Sequence, residues 1–246
     1  MKIRLDVFVH EKYPQYSRQQ IQSWIMQGKI LVDDKVITKS GTQVKPDVKI
    51  VITAKDPKFV SRAGFKLEGA IEYFGIDVKD LVALDAGLST GGFTDCMLQA
   101  GVKKVYGIDV GYGQAHEKIR QDQRVVVVEH LNLRHTDDVL DVLGGELVDI
   151  ITLDLSFISV LKVMETVVAA LKKGGKLIVL IKPQFEAEHN EICKGGIVKD
   201  ERVHQKIVDR ITSGIKNMGF DYIGVIESPI EGATGNKEFL AYFKKC

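Results

Sequence analysis

Residues 81–93, LVALDAGLSTGGF, join an apolar run to a loop of small residues, and the fold follows from how that junction is read. Leu81 to Leu84 are apolar without alternation, the pattern of a strand covered on both faces in a parallel sheet. Asp85 ends the run. Gly87, Ser89, Thr90, Gly91, Gly92 and Phe93 then lead into a helix, whose first amides have no partner within the helix itself. Small residues at such a turn let a ligand approach the backbone, so the junction is a cradle of the nucleotide-binding type at the tip of a strand.

Outward from that junction, strand and helix alternate. Toward the C-terminus come VKKVYGIDV, RVVVVEH, LVDIITLDLS, a helix over about 160–171, KLIVLIK, a helix over about 201–218, then DYIGVIES and KEFLAYFKK. This order predicts an α/β fold, a Rossmann-like doubly wound sheet with parallel strands in its core and an antiparallel final pair. Toward the N-terminus, VSRAGFKLEGAIEYFG reads as a helix capped by Ser61, with Leu67, Ala70, Ile71 and Phe74 on one face and Gly75 closing it.

Ahead of that helix lies a piece of different character. Residues 1–55 hold ten Lys/Arg against five Asp/Glu, whereas the rest of the chain holds 24 against 28. A compact basic module on a mildly acidic body suits a nucleic-acid handle. Ser17 with Gln20 forms a capping-box pattern, Ile21, Trp24 and Ile25 share a helix face, and Gly28 ends that helix. KILVDDKVIT and DVKIVITA follow as two alternating segments, which predicts a helix followed by a small sheet. The expected organisation is therefore a domain over 1–55, a linker over 56–60 and a larger domain over 61–246.

Composition excludes several classes. The chain is 45% hydrophobic and 27% charged, within the ordinary globular range, and no stretch has the length and apolarity of a membrane span or secretory signal. Cys96, Cys193 and Cys246 are odd in number and lack C-x-x-C spacing, which points to a reducing, cytoplasmic setting. His116, His130, His135, His189 and His204 show no metal-ligand spacing, so no metal site is expected.

The glycine loop also carries chemistry. The dinucleotide pattern G-x-G-x-x-G is not met, because Ser89 stands at the middle glycine and Asp85 lies two places before Gly87. D-x-G-x-(G/S)-x-G is instead a pattern for S-adenosylmethionine, with Asp85 and the loop backbone toward the amino-acid end of the cofactor. Asp109 ends the next strand 24 positions after Asp85, where a carboxylate can accept hydrogen bonds from ribose hydroxyls. Asn132 is a candidate adenine partner or, equally, a loop cap. Two more strand tips are charged. LVDIITLDLS delivers Asp154 and KLIVLIK delivers Lys182, with Pro183 stopping the strand at once. Lys66 on the preceding helix and Glu238 at the start of the last strand complete a set of four alternating charges able to converge. Phe157 and Phe185 follow the two tips and are expected to pack in the core, with stacking on a nucleic-acid base as the alternative.

Two resemblances arise from these residues. "SRQQIQSWIMQGKILVDDKVITKSGTQVKPDVKIVI", over roughly residues 3–53, resembles the αL-type RNA-binding domain of a small-subunit ribosomal protein and of pseudouridine synthases. That resemblance implies RNA contacts through Arg4, Arg18, Lys29, Lys35 and Lys45. Lys66, Asp154, Lys182 and Glu238, within "SRAGFKLEGA", "TLDLSFIS", "IKPQFE" and "GATGNKEF", resemble the K-D-K-E group of FtsJ-like 2′-O-ribose methyltransferases. Along its whole length the chain is similar to the haemolysin A (TlyA) family of ribosomal RNA methyltransferases. Leu88 departs from the alanine more usual after Gly87, and no catalytic position is lost. The resemblance implies S-adenosyl-L-methionine as cofactor, ribosomal RNA or a ribosomal subunit as partner and a cytidine ribose as target. A ribose hydroxyl is a poor nucleophile whose proton needs an acceptor, so Lys182 is expected as base, Asp154 and Glu238 as groups that orient the lysines and the hydroxyl, and Lys66 as polarising the site. An RNA-binding assembly factor without turnover and a membrane-lysing protein are the competing readings.

Overall fold

The computed structural model describes residues 2–246, and the chain divides into two compact units, Met1–Lys58 and Phe59–Cys246. In the first unit, β1 (Ile3–Arg4) runs into α1 (Leu5–Lys12), followed by α2 (Arg18–Met26), β2 (Ile30–Val32), β3 (Lys35–Val36), β4 (Gln43–Val44) and β5 (Ile50–Ile52). Strands pair as β3-β2-β5 and, separately, β1-β4. Ser17 caps α2 by accepting from the Gln20 amide at 3.2 Å. Leu5 and Val9 on α1 and Ile21, Trp24 and Ile25 on α2 meet in a small core with Ile30 and Val44.

Two expectations change here. The segment KILVDDKVIT is a hairpin rather than one strand, because Asp33 and Asp34 both adopt positive φ (47° and 63°) and turn the chain with the twist a tight hairpin needs. The opening residues, assigned no element from sequence, form β1 and α1, whose buried face is only Leu5, Asp6 and Val9. Two apolar positions per two turns is too weak a period to read.

In the second unit the elements are α3 (Ala63–Phe74), β6 (Val82–Ala86), α4 (Gly92–Gln99), β7 (Lys104–Ile108), α5 (Glu117–Gln121), β8 (Val125–Val128), α6 (Thr136–Val142) and β9 (Val148–Leu153). A 3-10 turn, Val160–Val163, then enters α7 (Met164–Ala170), followed by β10 (Leu171–Ile181), α8 (Pro183–Glu186), α9 (Glu201–Lys216), β11 (Phe220–Glu227) and β12 (Phe239–Lys245). The sheet order is β11-β12-β10-β9-β6-β7-β8, with β10 through β8 parallel and β12 antiparallel to both neighbours. Alternation along β6 divides the core. Val82, Leu84 and Ala86 pack with Val139, Met164 and Ile211 on one face, and Ala83 packs with Leu67 and Met97 on the other. Helices thus cover both faces, and the chain reverses its direction of winding between β6 and β9, where a crevice opens at the carboxyl ends of the strands.

Ser61 does not cap α3 as expected. Arg62 occupies that position, and the Ser61 hydroxyl is buried without a hydrogen-bond partner, in the space left by the missing side chain of Gly92. Among the described residues no helix is long and apolar enough to cross a membrane.

Candidate active site

Parallel pairing of β9 and β10 places Asp154 and Lys182 each one residue beyond a strand end at the same edge of the sheet. Because β12 runs antiparallel to β10 with Ile181 opposite Phe239, its first turn-in residue, Glu238, arrives at that edge as well. Lys66 reaches it from α3. The four charges form two ion pairs. Lys66 Nζ lies 2.5 Å from Glu238 Oε2, with side chains only 10% and 3% exposed. Lys182 Nζ lies 2.7 Å from Asp154 Oδ1, at 11% and 16% exposure. The second pair is poorly directed: Asp154 Oδ1 makes no aligned hydrogen bond, and Lys182 Nζ donates instead to Ser156 Oγ at 2.9 Å. Gln184, on the turn that follows Lys182, donates Nε2 to Glu238 Oε1 at 3.3 Å, while its own Oε1 is buried without a hydrogen-bond partner.

A cavity of about 370 Å³ adjoins this cluster, with Gly87, Ser89, Asp109, Asn132, Asp154 and Phe157 among its walls. Gly87 is required twice over: its φ is +89°, and a Cβ would stand 2.4 Å from the Asp154 carbonyl oxygen. The Asp109 carboxylate accepts from the Ser89 amide at 2.8 Å and the Gly111 amide at 2.7 Å, so it is fixed in place with lone pairs left over. Asn132 Oδ1 accepts from the Arg134 amide at 3.0 Å, so Asn132 caps its loop and also faces the cavity. A glycine cradle, a fixed carboxylate at the next strand tip and the Asp154 carboxylate on the cavity wall suit an adenosyl cofactor with a charged amino-acid end. Another cavity of about 310 Å³, between α9 and the β11-β12 edge, contains neither the glycine loop nor any of the four charges.

The remaining loop residues lie elsewhere. Thr90 is exposed, Gly91 packs against Ile119, and Gly92 and Phe93 are buried. Asp85, expected to face the cofactor, is not on the cavity wall. It is buried, accepting from Thr94 Oγ1 at 2.6 Å and Thr152 Oγ1 at 2.8 Å. Desolvation raises its pKa from 3.8 to about 7, outweighing the two hydroxyls, and the nearby Asp154 charge adds to the rise. The folded state therefore holds a proton that the unfolded chain releases. The associated stability is complete below about pH 4 and is lost as pH rises through 7, at most about 4 kcal/mol. Asp85→Asn is expected to remove this slope: denaturant midpoints at pH 5 and pH 8 converge in the variant, while the parent loses stability over that range. An equal pH dependence in both proteins would contradict the assignment.

Core packing fails as an account of Phe157. Its ring is 90% exposed, its φ is +65°, and it lies 4.8 Å from the Phe185 ring, centroid to centroid. A bulky residue in the left-handed region with its ring in solvent is unfavourable on both counts. Ser156 and Gln184 were also missed from sequence. Each lies two residues from a charged member of the cluster, but neither polar side chain has a periodicity that would separate it from an ordinary loop residue.

In the first unit, Arg4 and Arg18 are half-exposed and converge on the buried Asp6. Arg4 Nε donates to Asp6 at 3.0 Å, Arg18 Nη2 at 3.0 Å and Gln22 Nε2 at 2.6 Å. These hydrogen bonds, that of Arg4 foremost, hold the Asp6 carboxyl well below the usual range. Lys29, Lys35 and Lys45 are exposed.

Comparison with known proteins accords with this geometry. Residues 59–245 match the FtsJ-like methyltransferases, and residues 3–50 match the S4 domain. The chain is 40% identical over 241 residues to "Hemolysin A" of Brachyspira hyodysenteriae, covering 98% of this chain and 99% of that protein. It is 37% identical over 229 residues to "16S/23S rRNA (cytidine-2'-O)-methyltransferase TlyA" of Mycobacterium tuberculosis, covering 93% of this chain and 84% of that protein. Fibrillarin of Aeropyrum pernix, solved with S-adenosyl-L-methionine, shares the fold at a TM-score of 0.51 and 17% identity, covering 74% of this chain and 73% of that one. A match across nearly all of the larger unit, joined to a sheet of this order and a glycine cradle at its switch point, shows that the chain belongs to the FtsJ-like methyltransferase family and carries an S4 domain at its N-terminal end.

Proposed function

We propose that this protein methylates a ribose 2′-hydroxyl of ribosomal RNA, at cytidine, using S-adenosyl-L-methionine. The observation that carries the reading is Lys182, held between Asp154 and Ser156 beside the glycine-lined cavity, with the Lys66–Glu238 pair and its Gln184 donor delivered to the same sheet edge. When bound, the cofactor supplies an electrophilic methyl carbon on a sulfonium. Gly87, Ser89, Asp109 and Asn132 would hold it.

The residues of the chain then do the following work. A ribose hydroxyl is a weak nucleophile, so its oxygen must be aligned and its proton removed. Lys182 accepts that proton, and it does so only in its neutral form. The Lys182 ammonium formed by that proton transfer would be stabilised by Asp154 and Ser156. Glu238 keeps Lys66 in place, and Lys66 holds positive charge near the hydroxyl oxygen as its own charge grows. Arg4, Arg18, Lys29, Lys35 and Lys45 bind phosphates, which gives affinity and register without choosing a base.

Phe157 extends the reading to the substrate. An exposed ring beside the cavity, backed by Phe185, is placed to stack on an unstacked base. Phe157→Ala is expected to raise KM for RNA or lower kcat about tenfold, from a stacking loss of ~1–3 kcal/mol. Its melting temperature should match the parent, because little buried area is lost. Unchanged RNA kinetics would remove the ring from substrate binding. The overall function is tested by mapping 2′-O-methyl positions on ribosomal RNA from cells with and without the protein. A ribose methyl present only with the protein supports the proposal, and identical maps contradict it.

A further inference from the structure

Glu238 is delivered by a loop with few buried anchors. Between β11 and β12 the side chains of Glu231, Ala233 and Thr234 are exposed, whereas Asn236 is fully buried two residues before Glu238. Its amide is nearly saturated. Oδ1 accepts from the Val198 amide at 3.0 Å, and Nδ2 donates to the Gly196 carbonyl at 3.0 Å and to Thr234 Oγ1 at 2.9 Å. The Asn236 carbonyl also accepts from the Gly232 amide at 2.9 Å. One side chain therefore closes its own loop and fastens it to residues 196–198, about 40 positions away in sequence.

The surroundings leave that arrangement little freedom. A Cβ on Gly232 would stand 2.5 Å from Glu238 Oε1, so the loop passes directly against the carboxylate. Gly196 adopts a φ of +77°, a conformation that L side chains rarely take, and its carbonyl is the one that meets Asn236. No large apolar side chain of residues 231–237 is buried, so the amide clamp has no hydrophobic substitute. Losing it would leave a buried N–H and a carbonyl unpaired, and a loop free to move carries Glu238 with it.

We propose that Asn236 is a positioning residue for methyl transfer, which acts by holding Glu238 against Lys66 and Gln184. This rests on the role given to Glu238 above. A displacement of about 1 Å in such a group is enough to slow a reaction roughly a hundredfold. Cofactor binding is separate, since neither Asn236 nor Glu238 lines the glycine cavity.

The test is a double-mutant cycle on the full chain, with kcat for RNA methylation and Kd for S-adenosyl-L-methionine measured for each protein. Asn236→Ala and the isosteric Asn236→Asp, which keeps an acceptor for Val198 but loses the donor to Gly196, are each expected to lower kcat at least tenfold with Kd unchanged. On a Glu238→Gln background the same substitutions should cost less than threefold, because the residue they position has already been disabled. A merely structural role would give the same loss on both backgrounds and overturn the proposal. So would kcat within twofold of the parent for both variants while Glu238→Gln is impaired. Full activity in Glu238→Gln would overturn the role of Glu238 itself, and the positioning role with it.

Discussion

Lys182→Ala is expected to reduce the rate constant of methyl transfer by about 10²–10⁴-fold, the range of a lost general base, and to leave S-adenosyl-L-methionine affinity nearly unchanged. Lys182 is not on the wall of the glycine cavity; its ammonium lies 2.7 Å from Asp154, 2.9 Å from Ser156 and 5.8 Å from the centre of the Phe185 ring. Removing it disturbs the reacting hydroxyl more than the adenosyl site. Lys182→Arg separates proton transfer from charge, because a guanidinium preserves the pairing with Asp154 but cannot accept a proton near neutral pH. It should be as inactive as the alanine variant. Turnover within tenfold of the parent in both variants would take Lys182 out of the mechanism.

Lys66→Met should have the largest effect on stability. Glu238 is 3% exposed, and its nearest cation is Lys66 at 2.5 Å; without that cation a carboxylate stays buried with only the Gln184 amide to meet it. Breaking one side of such a pair costs about 3–5 kcal/mol, which for a unit of this size lowers the melting temperature by roughly 10 °C. The double variant Lys66→Met/Glu238→Gln has no stranded charge and should recover most of that loss, while remaining poor in catalysis. If the double variant melts no higher than Lys66→Met, the pair is not the source of the destabilisation. Stability and activity thus come apart at one pair of residues.

The architecture of the larger unit was readable because its strands are long apolar runs with charged or glycine-rich tips. LVALDA, LVDIITLDLS and KLIVLIK became β6, β9 and β10, and Asp154 and Lys182 lie one step past the ends of neighbouring strands. Glu238 could be placed because the final two strands are antiparallel, which returns the chain to the same edge. Short elements were less visible. The hairpin at Asp33–Asp34 depends on backbone torsions that two aspartates permit without announcing, and α1 buries too few residues to show a period. At the site, periodicity carries no information about direction. Asp85 reads as a ligand-facing acid, yet it turns to two threonines; Phe157 reads as core and is in solvent. Both outcomes depend on which way a side chain leaves a strand tip, a property of tertiary contacts rather than of local sequence.

The central claim, that the converging charges prepare a ribose alcohol for alkylation, is tested most directly by the position of the transferred methyl group. Ribosomal RNA incubated with purified protein and isotopically labelled S-adenosyl-L-methionine can be digested to nucleosides and resolved by mass spectrometry. The account predicts label on the ribose of cytidine with the parent and none with Lys182→Ala, although both bind the cofactor. Label on a base, or ribose label undiminished in Lys182→Ala, would contradict it.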